Sequence, residues 1–313
     1  MDLLETLNAN LSHGLTVELT VYDTDLDRQS TCAYQWLTDG VRQIGGERVL
    51  LSAGQGRISS KGFTSVPAMR PRGDFSRWSY VWVAPQDTLD VLYNPYTSDV
   101  LPWIRRVIED RPESISVESG KFVELGEIGD TDIFASVVFE EELPEYVKLL
   151  VYPDEADLLA AETAQRVQDR LVQSVRWACE RYNVVFGHVS YRHALGMTEL
   201  ERFLRGEDGS PISNTPRWRS QLRGYSWLMV ISSDIAHLLG GVETLRDSRA
   251  FHSISTLPNG SLLLQATPTF REYRGPAVEK VYDAVRKVLV TGEFRTLPPI
   301  PGIPPANMVV LPD

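Results

Sequence analysis

Cysteine is almost absent from this chain. Cys32 and Cys179 are the only two in 313 residues, and 147 positions separate them. Two distant cysteines cannot form the dense disulfide framework of a small secreted domain, and they lack the CxxC spacing of a zinc site. Both fall in segments with helical periodicity, where burial keeps a thiol unreactive. We therefore expect two buried, inert thiols and a reducing, cytosolic compartment.

Long hydrophobic runs are also missing. The longest uninterrupted apolar stretches, Tyr80 to Ala84 and Trp227 to Ile231, have five residues each, whereas a helix needs about 20 to cross a bilayer. The segment Met1 to Glu5 carries acidic residues, where a secretory signal would carry Lys or Arg. We expect a cytoplasmic protein with no membrane partner.

Positive charge is the minority charge. The chain has 31 Lys and Arg against 42 Asp and Glu, a formal net charge of −11. Nucleic-acid binding needs a basic surface that displaces counterions from phosphates, so this balance argues against a nucleic-acid partner. The hydrophobic content of 42% and the charged content of 23% are typical of a globular protein. Composition leaves the oligomeric state open.

The hydrophobic pattern predicts a mixture of strands and amphipathic helices. Leu15 to Tyr22 alternates apolar and polar residues, as a half-buried strand does. Apolar positions between Ala164 and Tyr182 recur every three or four residues, as on one face of a long helix, which is predicted to begin near Asp154. Pro258-Asn-Gly260 predicts a hairpin turn, and a second hairpin is predicted about Gly120. Ser30 is the predicted N-cap of the helix that follows it.

Hairpins joined to long amphipathic helices are typical of α+β layers. We predict an α+β fold with mainly antiparallel sheets and long amphipathic helices packed on one face; two similar α/β layers are compatible with the same pattern. The predicted organisation is an N-terminal α+β region over residues 1–129 and a C-terminal α+β domain over 130–297. An extended tail is predicted over 298–313, where six of 16 residues are proline.

No spacing in the sequence assembles a catalytic or metal centre. Asp23, Asp25 and Asp27 match the first ligands of a calcium loop, but Arg28 stands where that loop needs glycine. A capped turn is the favoured interpretation, and a looser divalent-metal role is the alternative. Ser226 lacks the GxSxG context of a nucleophile. We therefore predict no catalytic residue, no metal and no cofactor.

Two other classes of function stay open. His188 and His193 lie five positions apart at the end of a predicted strand. A small-molecule or metal-assisted enzyme could use them with nearby carboxylates in a cleft between the two halves. The third hypothesis is a structural subunit of a larger assembly, docking through an exposed apolar patch. The candidates for that patch are Trp78, Trp82, Trp103 and Trp218.

One stretch has an unusual charge. Between Phe122 and Val147 there are eight acidic residues and no Lys or Arg. A dense acidic surface accelerates encounter with a basic partner by factors of about 10 to 10³, while a solvated loop that aids solubility is the plainer alternative. If the stretch binds a protein partner, the predicted contact residues are Asp130, Asp132, Glu140, Glu141, Glu142 and Glu145.

Five short segments stand out in the second half of the chain: Gly187-His-Val-Ser-Tyr191, Arg223-Gly-Tyr-Ser-Trp227, Leu239-Gly-Gly241, Leu257-Pro-Asn-Gly260 and Leu264-Gln-Ala-Thr-Pro268. Together they resemble the type VI immunity protein family of bacterial polymorphic-toxin and secretion-system neighbourhoods, which also includes uncharacterised actinobacterial proteins. The resemblance covers mainly residues 130–297 and does not extend to 53–111. It implies no catalytic residues, and it implies a protein that binds and neutralises a toxin delivered by a neighbouring cell.

The charge pattern and the resemblance agree. Toxins that act on nucleic acid present basic clefts, and an inhibitor that offers carboxylates to such a cleft gains fast association. The leading hypothesis is therefore a non-enzymatic cytosolic immunity protein that neutralises a basic toxin domain through its acidic surface.

Overall fold

The computed structural model describes residues 13–46, 57–65, 77–122, 128–153, 155–192, 196–205, 215–297 and 306–311. Contacts within the chain divide it into two compact units. The central unit is Val21–Pro153, and the terminal unit combines Met1–Thr20 with Asp154–Asp313. The domain boundaries drawn from the sequence stay a prediction, and most of the predicted proline-rich tail lies outside the described residues.

The predicted α+β class with antiparallel sheet is confirmed. The chain enters the central unit at the end of the first strand, β1 (Leu15–Tyr22). The central unit then contains α1 (Leu26–Gln35), a π-helical turn (Trp36–Gly40), α2 (Val41–Gly45), β2 (Arg77–Ala84), β3 (Leu92–Pro95), α3 (Leu101–Glu109), β4 (Ser114–Phe122), β5 (Ile128–Phe139) and β6 (Tyr146–Val151).

The strands of the central unit run in the order β6-β5-β4-β2-β3, each antiparallel to its neighbours. Their register aligns Val81, Val117, Ala135 and Val151 across four strands, and all four side chains are buried. The π-helical turn contacts β5, and α1 contacts β6. One face of this sheet therefore forms the core beneath the helices, because alternate strand residues point to the same side.

The first helix begins earlier than the sequence predicts. The Asp25 carboxylate accepts hydrogen bonds from the backbone N–H groups of Asp27 (3.0 Å) and Arg28 (3.2 Å), so Asp25 is the N-cap and Ser30 lies inside α1. Aspartate is as good a cap as serine, and only the backbone conformation decides between them. The capped-turn interpretation of the aspartates is correct, and the described residues hold no group of three or more metal-ligating side chains.

The predicted hairpin about Gly120 is wrong. β4 runs without a turn from Ser114 to Phe122, and Gly120 lies opposite Thr131 of β5 at a shift of register. A glycine inside a strand marks an irregularity of this kind as often as a turn, because it has no side chain to pack.

The terminal unit contains the strand order β10-β11-β9-β7-β1, in which the β10–β11, β11–β9 and β9–β7 pairs are antiparallel, and a two-stranded sheet of β8 with β12. Its remaining elements are α4 (Glu155–Leu159), α5 (Ala164–Arg181), β7 (Val184–Tyr191), α6 (Glu199–Arg202), β8 (Leu204–Arg205), β9 (Leu228–Ile231), α7 (Ser233–Leu238), α8 (Gly241–Asp247), β10 (Ser253–Thr256), β11 (Leu262–Gln265), α9 (Pro276–Val285) and β12 (Glu293–Phe294).

Two predictions for the terminal unit are confirmed. The hairpin at residues 258–260 joins β10 to β11, with the Leu257 N–H donating to the Ser261 carbonyl at 2.9 Å and Gly260 at a φ of 82°. The predicted apolar stripe belongs to α5, which buries Leu171, Val175 and Ala178 on one face. The predicted start near Asp154 is wrong, because α4 ends at Leu159 and α5 begins at Ala164. Both patterns are local, so the sequence reports them directly.

Both thiols are buried, as expected. Cys32 lies in α1 and Cys179 in α5. Burial raises the pKa of Cys179 to about 12 and raises the pKa of Cys32 well above its ordinary value. Neither side chain therefore supplies a thiolate nucleophile near neutral pH. Among the helices of the described residues, none combines the length and the apolar composition needed to cross a bilayer.

Candidate partner-binding surface

The predicted contact residues lie in and after β5. Asp130 and Asp132 belong to the strand itself, and their side chains are outside the described part of the structure. Glu140, Glu141 and Glu142 follow β5 in the turn that leads to β6, with Leu143 N–H donating to the Glu140 carbonyl at 3.3 Å. Glu141 and Glu142 are exposed, whereas Glu140 and Glu145 are half-buried.

The turn is held in place by hydrogen bonds from two other segments of the central unit. The Gln29 side chain of α1 donates to the Pro144 carbonyl at 2.9 Å, and Arg111, which follows α3, donates to the same carbonyl at 2.9 Å. The Asp23 N–H donates to the Glu145 carbonyl at 3.0 Å. These bonds connect the turn to α1 and to the residue that follows α3.

Arg111 is the central anchor of this arrangement. Besides donating to the Pro144 carbonyl, its guanidinium donates to the Gln29 side-chain oxygen at 2.6 Å. It also stacks over the Phe139 ring, with Cζ 4.9 Å from the ring centroid. Its backbone has a φ of 48°, a left-handed conformation that is costly for any residue except glycine. The fold keeps this conformation because the arginine side chain joins α1 to the turn.

These bonds bring further carboxylates beside the predicted ones. Asp23, Asp25 and Asp27 precede or begin α1, and Glu109, Asp110 and Glu113 flank Arg111. We define the acidic surface by three segments, 23–28, 109–113 and 140–148. Together they hold ten carboxylates and three cations, a net charge of −7. The two added segments were missed from the sequence, because the bond between Gln29 and Pro144 spans 115 positions.

The three cations of the acidic surface are already engaged. Arg28 pairs with Asp23 at 2.9 Å and with Asp25 at 3.5 Å, and Lys148 pairs with Glu140. Within the described residues, no ion pair is found for Asp27, Glu109, Asp110, Glu113, Glu141, Glu142 or Glu145. Their charges are therefore available to a positively charged partner.

Replacing Arg111 with Ala is expected to lower the free energy of unfolding by about 2 kcal/mol, because two side-chain hydrogen bonds and the ring stacking are lost while the strained φ remains. Arg111→Gly should be less destabilised than Arg111→Ala, since glycine relieves that strain. Chemical denaturation measures both.

Arg106→Ala is the control for this prediction. Arg106 is an exposed arginine on the preceding helix, α3, and its replacement is expected to change stability by no more than about 0.5 kcal/mol. Equal losses in Arg106→Ala and Arg111→Ala would contradict the anchoring role.

The residues named for an enzyme do not form a site within the described residues. His188 is buried in β7 with its ring centroid 5.2 Å from that of Phe186, and His193 lies outside the described residues. The Ser226 hydroxyl accepts from the Val189 N–H at 3.1 Å and donates to the Leu228 carbonyl at 2.7 Å. These bonds give Ser226 a structural function between neighbouring segments.

The tryptophans named for an assembly patch differ in exposure. Trp103 is buried in the core of the central unit, Trp82 and Trp218 are half-buried, and the side chain of Trp78 is outside the described part. Trp103 is therefore excluded from any such patch.

The segment Arg223 to Trp227, one of those that carry the family resemblance, organises a buried charge cluster in the terminal unit. The Arg223 guanidinium binds the carboxylates of Glu18 (2.5 Å) and Glu201 (2.9 Å) and donates to the Gly196 carbonyl at 2.8 Å. Glu18 is fully buried within β1, so the prediction that this strand is half-buried is wrong. Glu18 can be buried because it pairs with Arg223, and the Thr20 hydroxyl donates to the Glu18 carboxylate at 3.3 Å.

Comparison with known proteins gives a likeness to solved structures and no family match. No family model matches the sequence, and no curated protein does. Among solved structures, the fold resembles that of the Pseudomonas aeruginosa T6SS protein PA0821, with a TM-score of 0.50 and 12% sequence identity. The match covers 88% of this chain and 74% of that one. At this identity the likeness concerns the fold, and the neighbour belongs by its title to a type VI secretion system.

Proposed function

We propose that this chain is a type VI secretion-associated immunity protein that binds and neutralises a toxin through the acidic surface of the central unit. The observation that carries the proposal is the convergence of three anchored segments with a net charge of −7. Like charges repel one another, so concentrating them on one surface weakens the fold slightly. Binding of a positively charged partner offsets this repulsion. We infer that the partner is a basic protein domain.

The anchoring of the surface supports binding over a solubility function. A solvated tail needs no fixed geometry, whereas docking is favoured when the interacting groups are held in position before the encounter. Gln29 and Arg111 hold the Pro144 carbonyl from two sides, which fixes the exposed Glu141 and Glu142 beside it. Carboxylates placed in this way increase the association rate and select partners of opposite charge.

The immunity function is also supported by the fold likeness and the sequence resemblance. The structural neighbour is a T6SS protein by its title, and the short segments of the second half resemble an immunity family. Because both point to secretion systems, we take the partner to be a toxin domain delivered between cells and bound in the cytoplasm of the recipient. The activity proposed is binding alone, with no covalent step.

The double charge reversal Glu141→Lys/Glu142→Lys tests the proposal. The partner in the test is a toxin domain whose inhibition of bacterial growth is relieved by co-expression of this protein, and binding is followed by surface plasmon resonance. The association rate constant should fall about tenfold or more, because the reversal removes steering charge at exposed positions. For the unmodified protein this rate should also fall as NaCl rises from about 50 to about 300 mM.

The control must make the same change in net charge elsewhere. Glu272→Lys/Glu279→Lys does so at two exposed positions of the terminal unit, and it should leave most of the association rate intact. If both double variants slow association equally, net charge alone is responsible and the acidic surface is not the docking site. An association rate that does not change with salt would contradict the proposal as well.

A further inference from the structure

The second face of the central sheet carries a row of aromatic side chains around one carboxylate. Residues 81, 83, 117 and 135 of β2, β4 and β5 point into the core and are buried. Their neighbours along the strands point the other way. Of these, Ser116 and Ser136 are buried, whereas Tyr80, Glu118 and Phe134 are half-buried and aligned across three strands. Trp82 is aligned with Tyr93 of β3 in the next row. We call Tyr80, Trp82, Tyr93, Glu118 and Phe134 the aromatic face.

Glu118 is bound by two neutral donors on this face. The Trp82 indole N–H donates to Glu118 Oε1 at 3.0 Å, and the Tyr80 hydroxyl donates to Oε2. Burial, reinforced by the bond to Glu118, raises the pKa of Tyr80 well above its ordinary value, so the phenol stays a donor. Both bonds orient the carboxylate without neutralising its charge. Within the described residues, no lysine or arginine forms an ion pair with Glu118.

The remaining hydrogen-bonding capacity of Glu118 has a definite shape. A carboxylate has about four lone-pair sites, two on each oxygen. Trp82 uses one site on Oε1 and Tyr80 one on Oε2, so each oxygen keeps one site. Two acceptor sites on neighbouring oxygens match the parallel N–H groups of a guanidinium, whereas an ammonium group is a point donor without that fork.

The surrounding rings suit the same group. The ring centroids of Tyr80 and Tyr93 are 6.0 Å apart, and those of Trp82 and Phe134 are also 6.0 Å apart. Aromatic faces attract cations, and arginine adds stacking of its planar guanidinium on the ring. An uncharged apolar group would gain from the rings but would remove water from the Glu118 carboxylate without replacing its charge partner.

We propose that the aromatic face binds an arginine side chain of the protein partner, with Glu118 pairing to the guanidinium and the Trp82 and Tyr rings packing against it. The inference rests on the proposed function only in assigning that arginine to a basic protein. The acidic surface of the same unit supplies the long-range attraction, and the aromatic face supplies a short-range contact that is specific for one side chain.

The experiment uses the full-length protein and short peptides, so it needs no identified partner. The probe is the peptide acetyl-Gly-Arg-Gly-amide, and the control probe has citrulline in place of arginine, which keeps the shape but has no charge. The readout is the indole N–H signal of Trp82 in ¹H–¹⁵N NMR spectra, assigned with Trp82→Phe. The arginine peptide should shift this signal with a dissociation constant in the millimolar range. The dissociation constant of the citrulline peptide should be higher by a factor of about ten or more.

Glu118→Gln tests the charge within the protein. This variant keeps the size of the side chain and an acceptor oxygen, and its affinity for the arginine peptide should fall about tenfold or more. Glu279→Gln is the matched control, because Glu279 is an exposed glutamate of the terminal unit that belongs neither to the aromatic face nor to the acidic surface, and the affinity of this variant should be unchanged. Equal affinity for the arginine and citrulline peptides, or equal affinity in Glu118→Gln and the unmodified protein, would overturn the proposal.

The two proposals fail independently. Glu141→Lys/Glu142→Lys should still shift Trp82 with the arginine peptide, because those side chains belong to the β5–β6 turn and not to the aromatic face. If the arginine peptide binds and the association rate constant of the toxin is the same for Glu141→Lys/Glu142→Lys and the unmodified protein, only the acidic-surface proposal is lost. A stationary Trp82 signal at every peptide concentration removes the aromatic-face proposal alone. Should Glu118→Gln not fold, the comparison of the two peptides on the unmodified protein decides the question.

Discussion

Arg223→Met should lower the free energy of unfolding by about 3–5 kcal/mol, measured by urea denaturation followed by circular dichroism. Removing one member of a buried ion pair leaves the opposite charge in a low-dielectric interior, which is the costly case. Here two carboxylates, Glu18 and Glu201, lose their shared cation. Burial by itself would lower the pKa of Arg223, but the two glutamates reverse that effect and raise it, so the side chain stays charged.

Two comparisons check the origin of this loss. Adding Glu18→Gln to Arg223→Met removes one of the stranded charges, so the double variant should be more stable than Arg223→Met alone. Arg246→Met breaks an exposed pair with Glu243, and its effect should stay below about 1 kcal/mol. If Arg246→Met and Arg223→Met lower the free energy of unfolding by similar amounts, the burial of the cluster is not the origin of the loss in Arg223→Met.

Gly224→Ala should destabilise the protein by about 2–4 kcal/mol. A Cβ at this position would lie 2.7 Å from Thr198 Oγ1 and 2.8 Å from Thr198 Cβ. Thr198 cannot move freely, because it caps α6 through the Glu201 N–H and donates to the Arg223 carbonyl at 3.0 Å. The added methyl group therefore causes overpacking and disturbs a helix cap, two effects that add to this range.

Gly14→Ala is the matched change for this prediction. Gly14 is exposed, and a Cβ there would have no neighbour closer than 3.9 Å, so its effect should be within about 0.5 kcal/mol. Thermal unfolding of the two variants side by side gives the comparison. If Gly224→Ala is as stable as Gly14→Ala, Thr198 adjusts freely and its cap is not fixed by close packing.

Local features of the fold could be predicted from the sequence. The hairpin at residues 258–260 and the buried stripe of α5 depend on residues within a few positions of one another, so periodicity and turn chemistry report them. Where two local signals compete, the sequence cannot decide between them. Asp25 and Ser30 are both good caps, and Gly120 suits a turn or an irregular strand, and in both cases the interpretation taken from the sequence was wrong.

Features that depend on strand pairing could not be predicted. The acidic turn at residues 140–145 is visible as composition, but the aspartates before α1 join it through a bond that spans 115 positions. Tyr80 and Glu118 meet only because β2 and β4 pair in one register, and a shift by one residue would send them to opposite faces. From the sequence, Glu18 is interpreted as an exposed polar residue of a strand, because nothing local indicates that Arg223 pairs with it.

The division of the chain has a consequence for synthesis on the ribosome. The central unit is one continuous stretch, Val21–Pro153, whereas the terminal unit needs residues from both ends of the sequence. Glu18 cannot form its ion pair until Arg223, 205 positions later, has been synthesised. Burying the carboxylate before this cation is present is unfavourable. Since the N-terminal parts of a polypeptide emerge and fold first, the nascent protein should complete the central unit early, whereas β1 cannot reach its final environment until the segment that carries Arg223 has been synthesised.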